Sequence, residues 1–416
     1  MIRAAALLAL ACGAAQAEGW LYRVALDPST PQVARVTVEL PAAHRAEDFS
    51  VQVRGMAMRL TPQVSDPRCD GVPIAADSAG AWRVQGWSCV RLSWQVPMKA
   101  VAAATIDPRA RESVYEPQAR FWIFSEASSL LRPVDAAAAG EVEFSGGPVH
   151  GGAPVAGTAR RVVPASGQAV EFYVIGRLPV TALRVGGGEV RHVDAAGVDL
   201  RDLAAEHRRA LRYFIQTAAL RKGLSWETAV VWLPGADDGG TPVVEAGHRT
   251  VLLAVAARRG RVQHAEATLA ELLRGEFAQL MPSRVPLWAR ESLAQFYAVK
   301  AMRRSGLPPE AVSAVERRLV DLPRAPTVQL RQAQARLQAG DEQARGALRA
   351  AGAAFWDRID RAIVRKSGVR TLDSLLARLL ASPWPDDRLP PAVVEQLRRY
   401  GAIREVDELL AQYVGS

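Results

Sequence analysis

The chain has 416 residues, room for two or three domains, and 49% of them are apolar, which excludes a disordered polymer. Its net charge of +9 is carried almost wholly by arginine; Lys99, Lys222, Lys300 and Lys366 are the only lysines. No dense basic run is interleaved with aromatics, so nucleic-acid binding is not expected.

Residues 1–17 read as a secretory signal. Arg3 is the charged start, Ala4 to Gly13 the apolar core, and Ala15-Gln16-Ala17 the small-x-small cleavage site. Cys12 raises a lipoprotein reading, but Ala9 stands where lipoproteins usually carry leucine. The apolar run is too short to cross a bilayer, and no later segment reaches spanning length without charges. The mature chain is therefore expected to begin at Glu18, to be soluble, and to be periplasmic or secreted. Two cysteines remain, Cys69 and Cys89. In an oxidising compartment such a pair usually forms a disulfide.

Residues 18–185 read as an N-terminal β-sandwich. Val36, Val38 and Leu40 alternate with polar or small neighbours, as do Val51 with Val53, and Val90 with Leu92, Trp94 and Val96. That period of two marks half-buried strands, and the intervening Pro and Gly clusters mark turns. Val170 to Val174 reads as the last strand. Leu183 to Val185 reads as the start of the next unit.

Residues 186–306 read as a middle α/β domain. Asp199 to Lys222 is an amphipathic helix; Ala229 to Leu233 and Thr250 to Val255 are buried strands. The Gly- and Asp-rich stretch from Gly235 to Gly240 lacks a following Lys-Ser/Thr and reads as a plain turn. Leu269, Leu272, Leu273, Phe277 and Leu280 then give one helical face. Pro282 stops that helix, and Pro286 opens a second carrying Leu287, Trp288, Leu293, Phe296 and Tyr297. Residues 307–416 read as an all-α domain, punctuated by Asp321-Leu322-Pro323 and Pro383-Trp384-Pro385.

The stretch Trp288-Ala289-Arg290-Glu291-Ser292 resembles the W-x-x-E-G segment of the gluzincin zinc metallopeptidases, most closely the glycyl aminopeptidases. The stretch from Gly352 through Phe355, Trp356, Thr371-Leu372-Asp373 and Leu376 resembles another segment of that family, Y-x-K-G followed by S-L-D-x-x-L. The resemblance implies an α+β multidomain fold: an all-β domain, a thermolysin-like middle domain and a helical C-terminal domain. It also implies a zinc site built by an H-E-x-x-H helix, with the glutamate of the second helix as third ligand and the tyrosine of Y-x-K-G stabilising an oxyanion.

At those places this chain departs from the pattern. Ala270 and Arg274 stand for the two histidines, Glu271 for the general base, Glu291 for the third ligand and Arg349 for the tyrosine. Alanine has no donor atom and arginine is a permanent cation, so zinc is expected to be lost. His44, His150, His192, His207, His248 and His264 are expected to be surface or structural. No G-x-S-x-G elbow and no free mature cysteine offers another nucleophile.

The implied function is that of an exported, inactive peptidase homologue that binds a peptide or protein; the alternative is an active zinc hydrolase with a relocated site. Arg274 is expected to take the metal's place, bonding Glu291 and sharing Glu271. Oligomeric state is not legible.

Overall fold

The computed structural model describes residues 19–415, except 46–47, 56–59, 79, 135–138, 166–167, 218–226, 236–241, 259, 283, 321–327 and 342. Residues 1–17, expected to be a secretory signal, lie outside the described residues. So do most of the Gly/Asp-rich stretch after Gly235 and the Asp321-Leu322-Pro323 break.

The first third is strand. One sheet holds seven strands and includes Leu21–Leu26, Val33–Glu39 and Arg91–Pro97; its neighbours hold five and three. Along Val33–Glu39 the residues Ala34, Val36 and Val38 are buried while their neighbours are more open, as the period-two reading requires. Trp20, Tyr22, Trp94, Trp122, Phe124 and Tyr173 gather with the valines of these sheets into one core. Val90 departs from its expected strand: it stands half exposed just ahead of Arg91–Pro97. The cause is local, because the Asp70 carboxylate accepts the backbone N–H groups of Val90 and Arg91 and turns the chain there. Cys69 and Cys89 are bonded to one another within this region, as expected.

A second five-stranded sheet follows, in the order Val180–Val185, Gly188–Asp194, Glu227–Pro234, Thr250–Val255, Val243–Ala246. The strand Val180–Val185 hydrogen-bonds into this sheet, not into the sheets before it. Glu227–Pro234 and Thr250–Val255 pair in parallel and are almost continuously apolar, because both faces are covered. On one face Val193, Val231, Leu233 and Leu252 meet Phe121, Ile123, Phe172 and Val174 of the preceding β region. On the other face Val230, Trp232, Val251 and Leu253 meet helices. The strand Val243–Ala246 forms an edge of the sheet.

Ten helices are described. After the short α1 (Glu126–Ser129) come α2 (Arg201–Thr217), α3 (Ala265–Leu280), α4 (Leu287–Met302), α5 (Pro309–Val320), α6 (Leu330–Gln338), α7 (Gln343–Ser367), α8 (Asp373–Ala381), α9 (Pro391–Tyr400) and α10 (Ile403–Tyr413). The α3–α4 hairpin lies where the periodicity puts it. α3 ends ahead of Pro282, and Pro286 caps α4 from just outside its first turn. Phe277 of α3 stacks on Tyr297 of α4 at 4.8 Å. The 25-residue α7 packs against α4. Gly352 on α7 lets the helices touch: a Cβ there would lie 2.0 Å from the Cβ of Ser292 on α4. Trp288 stacks on Trp356, and Trp356 Nε1 donates to Ser292 Oγ at 2.8 Å. Further along, Lys300 of α4 bonds Asp360 of α7 and Asp373 of α8.

The seam between the β region and the second sheet holds a buried carboxyl. Glu171 is fully buried, accepts the Phe172 N–H, and lies 3.8 Å from His248 Nδ1. Burial pushes its pKa up to about 8 from an ordinary 4.5. A carboxyl whose folded pKa is raised stabilises the fold below its unfolded pKa and loses that contribution as pH rises through its folded value. Urea unfolding from pH 4.5 to 8 is therefore expected to show a falling contribution from this group. Glu171→Gln is expected to flatten it; an identical pH slope in the variant contradicts this assignment.

Candidate functional site

α3, α4 and α7 converge on a set of charged side chains. On α3, Ala270 is buried and Arg274 is 3% exposed. Glu271 and Arg274 are one turn apart, so their side chains reach each other. Arg274 Nε donates to Glu271 Oε2 at 2.9 Å, and its Nη2 lies 2.8 Å from the same oxygen. On α4, Glu291 follows the buried Trp288 by three residues, on a helix that Trp288 anchors at both ends of its indole. Its backbone N–H donates to Gln334, its Nε1 donates to the Asp387 carbonyl, and its ring stacks on Trp356.

Glu291 departs from the expected pairing. Arg274 Nη1 stands 3.8 Å from Glu291 Oε2, an ion contact beyond hydrogen-bond length. The hydrogen bonds to Glu291 come from α7. Arg349 Nε donates to Oε2 at 2.7 Å, and Arg345 Nη1 donates to Oε1 at 3.0 Å. Arg345 and Arg349 are one turn apart on α7 and grip the carboxylate from one side, while Arg274 approaches from α3. The reason is reach: Arg274 turns to Glu271, its own-helix neighbour, and α7 approaches closely enough at Gly352 to supply two more guanidiniums.

The electrostatics follow. Burial works to raise the Glu291 pKa, but Arg349, then Arg274 and Arg345, outweigh it and hold the carboxyl at about 2. Burial works against the Arg274 charge, and Glu271 and Glu291 overcome it, so the guanidinium pKa lies above its ordinary value.

A second ion pair adjoins the cluster and was not legible in the sequence. Glu245, on the edge strand Val243–Ala246 beside α3, accepts from Arg111 Nε at 2.8 Å, with Arg111 Nη2 at 2.6 Å. Glu245 is also close enough to raise the Arg274 pKa further. Arg111 and Glu245 are 134 positions apart, and nothing in local spacing connects them. Arg345 did carry a signal: it lies one turn before Arg349 on the same helical face.

The buried histidines lie elsewhere. His207 Nε2 on α2 bonds Glu276 Oε2 on α3 at 2.6 Å, and His192 Nδ1 accepts from Trp232 Nε1 at 3.1 Å between neighbouring strands of the second sheet. Among the described residues, Cys69, Asp70 and Cys89 are the His, Cys, Asp or Glu side chains that gather at metal-ligand spacing, and the two sulfurs are already bonded together.

No protein-family model and no curated protein matches the sequence. Solved structures do match the fold. An aminopeptidase N family protein from Idiomarina loihiensis superposes with a TM-score of 0.69 at 13% identity, covering 95% of this chain and 76% of its own. An M1 zinc metallopeptidase from Deinococcus radiodurans superposes with a TM-score of 0.51 at 13% identity, covering 96% and 93%. A variant of an M1 zinc metallopeptidase from the same organism, solved with a Tyr-Ser-Ala substrate, gives 0.54 at 14% identity, covering 96% and 94%. The metallopeptidase frame implied by the residues around Trp288 and Gly352 is thus present in three dimensions: this chain has the fold of the aminopeptidase N and M1 zinc metallopeptidases.

Proposed function

We propose that the chain is an exported, catalytically inactive relative of these metallopeptidases that binds a peptide or protein segment. The observation that carries the reading is the buried Arg274 guanidinium, bonded to Glu271 and in ion contact with Glu291. The donor set does not fit zinc. Ala270 offers no ligand atom, Arg274 carries a fixed positive charge, and Glu271 and Glu291 already have cationic partners. Arg349 in place of a tyrosine leaves no neutral O–H donor at that position either. Glu271 Oε2 is held by the Arg274 guanidinium, and that fixed positive charge lowers the carboxylate's basicity toward a water proton.

Peptide binding is supported by the edge strand Val243–Ala246, which ends its sheet beside the charged cluster. An extended segment gains main-chain hydrogen bonds by adding to such an edge. The M1 zinc metallopeptidase solved with Tyr-Ser-Ala shows that this fold class accommodates a peptide. Export is supported by Ala15-Gln16-Ala17 behind a short apolar run and by the Cys69–Cys89 bond. Because Val180–Val185 pairs into the second sheet, we move the expected boundary ahead of it and place the β-sandwich at 18–179, the degenerate peptidase domain at 180–306 and the helical domain at 307–416.

The reading is tested by incubating purified protein with aminoacyl and peptide substrates, with and without a chelator. No turnover above buffer is expected in either condition. Robust peptide cleavage that the chelator abolishes would overturn the inactive reading.

A further inference from the structure

We propose that the remodelled site takes the free C-terminal carboxylate of its peptide ligand, gripped by Arg349 with Arg274 and Arg345 behind it; this rests on the peptide-binding reading above. Glu291 is met by three guanidiniums, of which Arg274 is paired first with Glu271. Arg349 spends only Nε on that carboxylate, and among the described residues its two terminal nitrogens make no bond. Nη1 and Nη2 of a guanidinium present a planar fork that matches a carboxylate. The Arg349 side chain keeps 24% of its surface in solvent, so the fork is reachable.

An amine has no comparable host here. Glu245 is held by Arg111, Glu271 by Arg274, and Glu291 by Arg345 and Arg349. Each carboxylate that faces the site is thus already paired with a cation. A ligand ammonium would have to displace a guanidinium from its partner, whereas a ligand carboxylate meets donors that are already assembled. The edge strand gives the second contact. Val243–Ala246 pairs with Thr250–Val255 on one side, and among the described residues no strand pairs with its other side. That strand packs beside α3, and Glu245 on it lies close enough to act on the Arg274 charge, so the edge borders the cluster on its α3 side. Main-chain pairing supplies affinity that does not depend on sequence, and the guanidinium fork fixes the end of the chain.

The test uses the full mature chain immobilised on a support and two pools of random-sequence hexapeptides, one with free C-terminal carboxylates and one amidated. Retained peptides are quantified by mass spectrometry. Free-acid peptides are expected to be retained about tenfold over amides, the scale of one charge-assisted contact. Arg349→Gln is expected to bring the two pools to within about twofold of each other. Arg349→Lys keeps a charge opposite Glu291 without the fork; it is expected to fall between, and it serves if the glutamine variant does not fold. Equal retention of acid and amide pools by the unmodified chain overturns the carboxylate assignment and leaves peptide binding standing. Retention of neither pool overturns both. A preference unchanged in both variants removes Arg349 from the site.

Discussion

Arg274→Ala is expected to destabilise the chain by about 3–5 kcal/mol, the range for removing one partner of a buried ion pair. Two features set where in that range the value falls. Glu271 is 23% exposed, so water replaces part of what Arg274 gave it, and Glu291 keeps Arg345 and Arg349. Both push the loss toward the lower end. Against that, Arg274 is almost wholly buried, and its aliphatic stem leaves a void when removed. Double-mutant cycles separate the contributions. The coupling of Arg274 to Glu271, which share a hydrogen bond, is expected to lie between about 1 and 3 kcal/mol. The coupling to Glu291, across 3.8 Å, is expected to be smaller. Denaturant unfolding of the single and double variants reads both. A larger coupling to Glu291 than to Glu271 contradicts the geometry described here.

Gly352→Ala is expected to cost at least about 1–3 kcal/mol, the usual penalty for overpacking a filled core. One methyl is enough, because the new Cβ would stand 2.0 Å from the Cβ of Ser292, and α4 and α7 must separate to admit it. That separation also strains the Trp288–Trp356 stack and lengthens the Arg345 and Arg349 bonds to Glu291. At the point of contact the facing residues are both small, glycine on α7 and serine on α4. Ser292→Gly, which loses the bond from Trp356 Nε1, is expected to be destabilising alone and to restore part of the stability of Gly352→Ala. Thermal unfolding of the four chains checks this. Simple additivity of the two changes would show that the helices do not meet at these residues.

Much of this site was legible because it is local. The α3–α4 hairpin follows from apolar residues at three- and four-residue steps and from Pro282 and Pro286. The Glu271–Arg274 bond follows from a three-residue separation on one helix. The burial of alternate residues in Val33–Glu39 follows from period two. What escaped is set by tertiary approach. Arg345 and Arg349 reach Glu291 only because α7 passes close at Gly352, a contact between residues more than fifty positions apart. Arg111 meets Glu245 across the junction of two sheets. The expectation that Arg274 would bond Glu291 failed for the same reason: it considered the two helices of the hairpin and not the third that packs against α4. Val90 escaped because a single carboxylate, Asp70, captures two backbone N–H groups, and the strand begins one residue later, at Arg91.

We propose that an arginine-held cluster stands in place of a zinc site in this chain. Zinc titration of the purified full chain by calorimetry tests it most directly, with Ala270→His/Arg274→His as the comparison. No stoichiometric heat is expected for the unmodified chain, and one site is expected to be gained in the double variant, with Glu291 as the third ligand. One tightly bound zinc per unmodified chain, lost on Glu291→Gln, is the result that contradicts it.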